Sequence, residues 1–181
     1  MKKVVVLVAV AILGFSNANA QKIKLGIKGG LNFSEINNDN SGKRYRTTDF
    51  NLGFMSEIPI SEKFSFQPEL LYSGQGGSSI NLNYLNLPIM GKYYLTKGLS
   101  IEAGPQVGFL FSAKTSDRNI KSSFKNFDFG ANFGLSYELK NGLNFEARYS
   151  LGLSKINKNT AVDFSNNKNA VFQFTVGYFF F

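Results

Sequence analysis

Ten ionisable side chains occupy one parity of segments that otherwise alternate apolar and polar: Lys24, Lys28, Glu57, Glu69, Lys92, Glu102, Asp128, Glu138, Glu146 and Arg148. Carboxylates in such numbers could work as a general acid and base, as paired Glu and Asp do in glycoside hydrolysis. Interleaved with Lys and Arg, they suit mutual ion pairing instead. The rest of the composition weighs against catalysis. The chain has no histidine, which removes Ser-His and Asp-His hydrolase constellations and the commonest metal ligand. It has no cysteine, so disulfides and thiolate metal sites are excluded. The expectation is a protein that is not an enzyme and carries no cofactor.

These charges must be positioned by strands. In LNFEARYSLGLS, residues 143–154, the residues Leu143, Phe145, Ala147, Tyr149, Leu151 and Leu153 fall on one parity, and Asn144, Glu146, Arg148, Ser150, Gly152 and Ser154 on the other. A period of two marks a β-strand with one apolar and one polar face. Similar alternation predicts strands over 23–33, 49–60, 64–75, 84–95, 99–112, 124–139, 143–154 and 170–181. Three connections are tight (61–63, 96–98 and 140–142), and the four others are long and polar (34–48, 76–83, 113–123 and 155–169). Short and long connections alternate strictly, as in an up-and-down barrel with its tight turns at one end. A three-residue turn preserves parity, and the apolar parity is indeed shared across each tight turn: Phe54 with Phe66, Tyr93 with Ile101, Leu135 with Phe145.

Alternation alone does not say which face is wet. The polar parity is crowded with glycine, as in Gly26, Gly30, Gly104, Gly108, Gly130 and Gly134. Glycine weakens strands, so a solvent-facing sheet would prefer Thr, Lys or Glu there. Small residues instead suit the interior of an eight-stranded barrel, which is just wide enough for side chains to fill. The other parity carries large apolar residues such as Phe109, Phe133 and Tyr149 and suits lipid. The expected fold is therefore all-β, an eight-stranded antiparallel up-and-down transmembrane β-barrel. A soluble barrel with an apolar cavity is the alternative. It would need the aromatic set inside and a glycine-rich surface. Pro59, Pro68, Pro88 and Pro105 fall within the expected strands, and a closed barrel offers no free edge for residues lacking an N–H.

The first 20 residues read as a cleaved signal peptide. Lys2 and Lys3 form a basic start, Val4 to Phe15 an apolar run too short to span a bilayer, and Ala18-Asn19-Ala20 a small-x-small cleavage site. The barrel domain is then residues 21–181. The formal charge falls from +8 to +6 without Lys2 and Lys3. Behind an export signal, this excess points to outer-membrane lipid, lipopolysaccharide or acidic polysaccharide and not to nucleic acid.

Six stretches together resemble the outer-membrane β-barrel domain family of Bacteroidota, also called porin-family or PorT-like: GIKGGLNFS, EIPISEKFSFQPELLYSGQGG, YLNLPIMGKYYL, GLSIEAGPQVGFL, FDFGANFGLSYEL and NGLNFEARYSLGLS. The resemblance runs through residues 21–181, prolines included. It implies an eight-stranded barrel in the outer membrane; independently, eight strands with their tight turns on the periplasmic side would leave both termini in the periplasm. The resemblance also implies that the amphipathic last strand, ending at Phe181, is read by barrel-assembly machinery. The PorT-like likeness raises an accessory role in protein secretion or gliding.

Two sets of residues could then carry function. In the lumen, Lys28, Glu57, Glu69, Lys92, Glu102, Glu146 and Arg148 are expected to form a charge network, since bare charges in a narrow interior are costly. A turn centred on Lys97 sets Lys92 across from Glu102, and one centred on Asn141 sets Glu146 across from Ser136 and Arg148 across from Gly134. Lys92 is expected to pair with Glu102, and Arg148 with Glu146 or an acid across the lumen. The network reads as a structural plug, with a proton or small-ion path as the alternative. In the long loops, Lys43, Arg44, Arg46, Arg118 and Lys121 could contact phosphates or acidic sugars. The expected function is that of a non-enzymatic envelope barrel with a structural or loop-binding role. The alternatives are a small-solute channel or a secretion accessory.

Overall fold

The computed structural model describes residues 23–37, 44–77, 80–115, 118–154 and 168–180, with side chains omitted for 36, 37, 44, 45 and 168. The expected signal peptide with Ala18 and Ala20, the loop residue Lys43 and the terminal Phe181 lie outside the described residues. Eight long strands make the barrel: β1 (Lys24–Asn37), β2 (Arg44–Pro59), β3 (Phe64–Gly77), β4 (Ile80–Tyr94), β5 (Leu99–Thr115), β6 (Phe127–Glu138), β7 (Leu143–Gly152) and β8 (Lys168–Phe179). Each pairs antiparallel with its neighbours in sequence, and β1 pairs with β8 to close the cylinder. No described helix is long and apolar enough to cross a membrane.

The outer face is apolar. Phe109, Phe133 and Tyr149 are 40%, 55% and 44% exposed and point away from the barrel axis. The inner face is polar and buried, with Lys28, Asn32, Lys92, Asn132 and Arg148 all at 2% or less. That inversion relative to a soluble barrel matches a lipid-facing exterior. The glycines of the inner face sit where neighbouring strands approach closely. A Cβ at Gly30 would lie 1.9 Å from the Phe174 carbonyl oxygen on β8, and one at Gly104 would lie 1.9 Å from that of Ile89 on β4.

The tight turns set the register that parity requires. Lys92 faces Glu102 across the β4–β5 hairpin, and Glu146 faces Ser136 across β6–β7. At the other end the strands run further than expected. The β1–β2 ladder continues to Asn37 and Arg44, and β3–β4 to Gly77 and Ile80, so much of the expected loops 34–48 and 76–83 is paired strand. Backbone pairing needs no apolar side chain, so the apolar signal stops well before the hairpins do.

Pro68, Pro88 and Pro105 sit at breaks in the ladders, and Pro59 is the last residue of β2. Between β3 and β4 the pairing passes from Pro68–Ile89 to Leu71–Asn86, and between β4 and β5 from Pro88–Gln106 to Gly91–Ala103. A closed barrel thus tolerates them by local loss of pairing on adjacent strands. Beyond this region, β5 carries a bulge. Tyr84 pairs with Leu110 and Asn83 with Ser112, which leaves Phe111 as the extra residue. Parity inverts there, so both Leu110 and Ala113 turn inward. The expected 113–123 loop holds a two-residue strand, Arg118–Asn119, and a 3₁₀ turn, Lys121–Ser123. Hydrogen bonds from Ile120 N to Ala113 O and from Leu110 N to Asn126 O pin it to the barrel, and β6 begins at Phe127 and not at 124.

Candidate functional site

Among the described residues the lumen holds two ionic layers and an apolar one, besides uncharged side chains such as Asn32, Asn51, Ser73 and Gln173 that hydrogen-bond to one another. The central layer is ionic. Arg148 on β7 reaches Glu69 on β3 with two guanidinium nitrogens at 2.9 and 2.8 Å, and its Nε lies 3.0 Å from both Glu102 on β5 and Glu146 on its own strand. Lys28 on β1 joins Glu69 at 3.0 Å and Glu146 at 2.9 Å. The Gln67 amide donates to Glu69 at 2.6 Å. The side chains of Arg148, Lys28, Glu69, Glu102 and Glu146 are at most 1% exposed. A planar guanidinium with five donors suits this hub, because it can serve three carboxylates at once. Two cations face three carboxylates, and Glu102 Oε2 is buried with no hydrogen-bond partner.

The second layer closes the tight-turn end. Lys92 Nζ donates to Glu57 Oε2 at 2.9 Å and to Gln67 at 3.2 Å, while the Tyr94 hydroxyl donates to Glu57 Oε1 at 2.6 Å. Lys24 reaches Glu138 at 2.6 Å and Glu57 at 3.7 Å. Phe179, 4% exposed, packs under both lysines, with its ring centroid 5.3 Å from Lys24 Nζ and 5.9 Å from Lys92 Nζ. This layer corrects one expected pairing. Lys92 and Glu102 share register, yet Lys92 pairs with Glu57 and Glu102 with Arg148. In a cylinder this narrow a long side chain reaches across the axis more readily than along the wall. Arg148 takes both expected options, Glu146 and acids across the lumen.

The third layer is apolar and lies at the long-loop end. Leu82, Tyr84, Leu110, Ala113 and Phe124 form a buried cluster, with Ile80 and Ile120 against it. Sequence reading missed it. The available signal was Leu82 and Tyr84 on the inward parity of β4, but the bulge at Phe111 hides Ala113, and Phe124 reaches the lumen from an irregular segment.

The basic loop candidates do not gather into one cluster. Arg46, on β2, is exposed and donates from Nε to Glu35 at 2.8 Å. Arg118 is exposed on the β5–β6 connection, and Lys121 nearby sits 5.7 Å from the centroid of the Phe109 ring. Strands β3 and β4 lie between these two places. The backbone of Arg44 lies at the tip of β2, and its side chain is outside the described residues. Among the described residues no group of three or more His, Cys, Asp or Glu could hold a metal.

Solved barrels share this architecture at low identity. The attachment invasion locus protein Ail of Yersinia pestis aligns at 15% identity with a TM-score of 0.57, covering 88% of this chain and all of Ail. The Neisserial surface protein NspA aligns at 13% and 0.58, with the same coverages. Ail in complex with the heparin analogue sucrose octasulfate aligns at 14% and 0.53, again over 88% of this chain and all of that one. No curated protein sequence matches the chain. The sequence profile described as "Outer membrane protein beta-barrel domain" matches residues 17–158, all of the barrel but its last strand. In keeping with its closed eight-stranded cylinder, greasy exterior and charged interior, the chain belongs to that outer-membrane β-barrel family.

Proposed function

We propose that this protein is a non-enzymatic barrel of the outer membrane whose work is done at its surface and not through its lumen. The observation that carries this reading is the central layer. Arg148 is 0% exposed and bonded to Glu69, Glu102 and Glu146, with apolar packing above it and the Lys92–Glu57 pair below. An ion crossing this barrel would have to break buried pairs and part an apolar cap, each at a cost of several kcal/mol. The small-solute channel is therefore the weaker reading.

In this proposal the tight turns and both termini face the periplasm, and the long hairpins face outward, as in bacterial barrels generally. Arg46, Arg118 and Lys121, with Lys43 and Arg44, then meet lipopolysaccharide phosphates or acidic surface sugars. A barrel of the same fold, Ail, has been crystallised with a heparin analogue, which supports polyanion binding as a property this fold can carry. Contact with secretion proteins rests on the PorT-like resemblance, and engagement of assembly machinery through Phe181 on the amphipathic last strand.

Two measurements test this. Planar-bilayer recordings on the refolded chain should show no steady conductance. Binding to heparin and to lipopolysaccharide should fall in an Arg46→Ala, Arg118→Ala, Lys121→Ala variant. Steady ohmic conductance from the native barrel would replace this reading with the channel, and unchanged polyanion binding in the variant would remove the loop assignment.

A further inference from the structure

One lumen carboxylate lies outside both ionic layers. Glu57, Glu69, Glu102, Glu138 and Glu146 each have a Lys or Arg nitrogen within 4 Å. Asp128, at the long-loop end of β6, has none among the described residues. Its Oδ1 accepts the Ser154 hydroxyl at 2.5 Å, its Oδ2 accepts a long 3.4 Å bond from the Asn169 amide, and the Phe129 backbone N–H also points to the carboxylate. A carboxylate offers about four lone-pair sites, so capacity remains. Beside it lies a cavity of about 10 Å³ lined by Gln75, Gln106, Asp128, Ser150 and Asn169 among others. That volume holds about one water-sized occupant. Ser150 is 7% exposed, lines this cavity, and its hydroxyl has no hydrogen-bond partner.

We propose that this pocket binds one sodium-sized monovalent cation, held by the Asp128 carboxylate and the Ser150 hydroxyl with amide oxygens of the surrounding Gln and Asn side chains. The donor set is oxygen only, which selects a hard cation over a soft or nitrogen-loving one. It holds a single carboxylate, so a monovalent ion leaves the pocket neutral. Calcium takes six to eight oxygens, usually with several carboxylates, and would leave a net positive charge here. The ion would join β3, β5, β6, β7 and β8 beneath the apolar cap, at a level where no described Lys or Arg side chain bridges strands. This site is independent of what the outer loops bind.

The test uses the whole refolded chain in detergent. Relaxation of ²³Na should show excess broadening over a protein-free detergent blank, and Asp128→Asn should abolish it. The unfolding midpoint should rise by about 2–4 °C in sodium chloride over choline chloride at equal ionic strength, as one weak ligand on a domain this size would produce. Should Asp128→Asn fail to fold, Ser150→Ala must reduce both signals. Equal midpoints in the two salts, no excess broadening, or full effects in either variant would overturn the proposal and leave a water in the pocket.

Discussion

The central ionic layer and the apolar cap close the same cylinder by opposite means. In the central layer every contact depends on geometry. Arg148 meets three carboxylates at about hydrogen-bond distance, and moving any one of them leaves a desolvated charge behind. In the cap, Leu82, Tyr84, Leu110, Ala113 and Phe124 gain by exclusion of water alone, and a lost contact leaves a cavity but no orphaned charge. The first arrangement is brittle and specific. The second is tolerant and local. The apparent redundancy of two plugs is not redundancy in failure: damage to the hub should spread through the four strands β1, β3, β5 and β7, while damage to the cap should stay at one mouth.

The sharpest way to break this contrast is at Arg148. Arg148→Leu keeps much of the volume but strands Glu69, Glu102 and Glu146 with Lys28 as sole counter-charge. It should cost about 3–5 kcal/mol, the usual penalty for removing one partner of a buried pair. Urea unfolding of the refolded barrel in detergent reads this directly. A loss under about 1 kcal/mol would mean that water already solvates the hub and the layer is not closed. Arg148→Lys should recover only part of the loss, since one ammonium cannot match the fork of the guanidinium.

Next comes the cap. Leu110 is 0% exposed, and Leu110→Ala should cost about 2–4 kcal/mol. Its distinctive readout is spatial. Protease cleavage should rise in the 113–126 segment, while bilayer recordings stay silent because the hub still blocks the lumen. Steady conductance from this variant would show that the cap, not the hub, is the barrier. Third is the pair at the tight-turn end. A double-mutant cycle of Lys92→Met and Glu57→Gln should give a coupling of about 1–3 kcal/mol, whereas Lys92→Met with Glu102→Gln should be additive within about 0.5 kcal/mol. Reversal of those two couplings would restore the pairing that register alone suggests.

The contrast also separates what the sequence made legible from what it did not. Facing was legible, because a period of two with Phe, Leu and Tyr on one parity and Gly, Glu and Lys on the other has one consistent closure. Register was legible from turn length, as Lys92 opposite Glu102 and Arg148 opposite Gly134 show. Pairing was not. Register fixes which residues adjoin along the wall, but Lys92, Arg148 and Lys28 are long enough to cross the axis, and which acid they meet depends on barrel curvature. The cap was hidden for a different reason. The Phe111 bulge inverts parity within β5, and Phe124 enters from a segment with no strand signal at all. The β1–β2 and β3–β4 strand tips at the long-loop end carry little apolar alternation, so little but their backbone pairing marks them as strand.

The smallest effect belongs to Glu102, and it is the most discriminating. Glu69 receives two nitrogens of Arg148, the ammonium of Lys28 and the amide of Gln67. Glu102 uses Oε1 for Arg148 and leaves Oε2 buried without a partner. With three carboxylates against two cations, Glu102 is the acid the hub can best spare. Glu102→Gln keeps the shape and the acceptor for Arg148 and removes the excess charge. It should change stability by less than about 1 kcal/mol, in either direction, where Glu69→Gln costs about 3 kcal/mol. Equal losses at the two positions would show that the hub responds to total charge and not to individual bonds, and the account of its brittleness given by Arg148 would need replacing by one based on net charge.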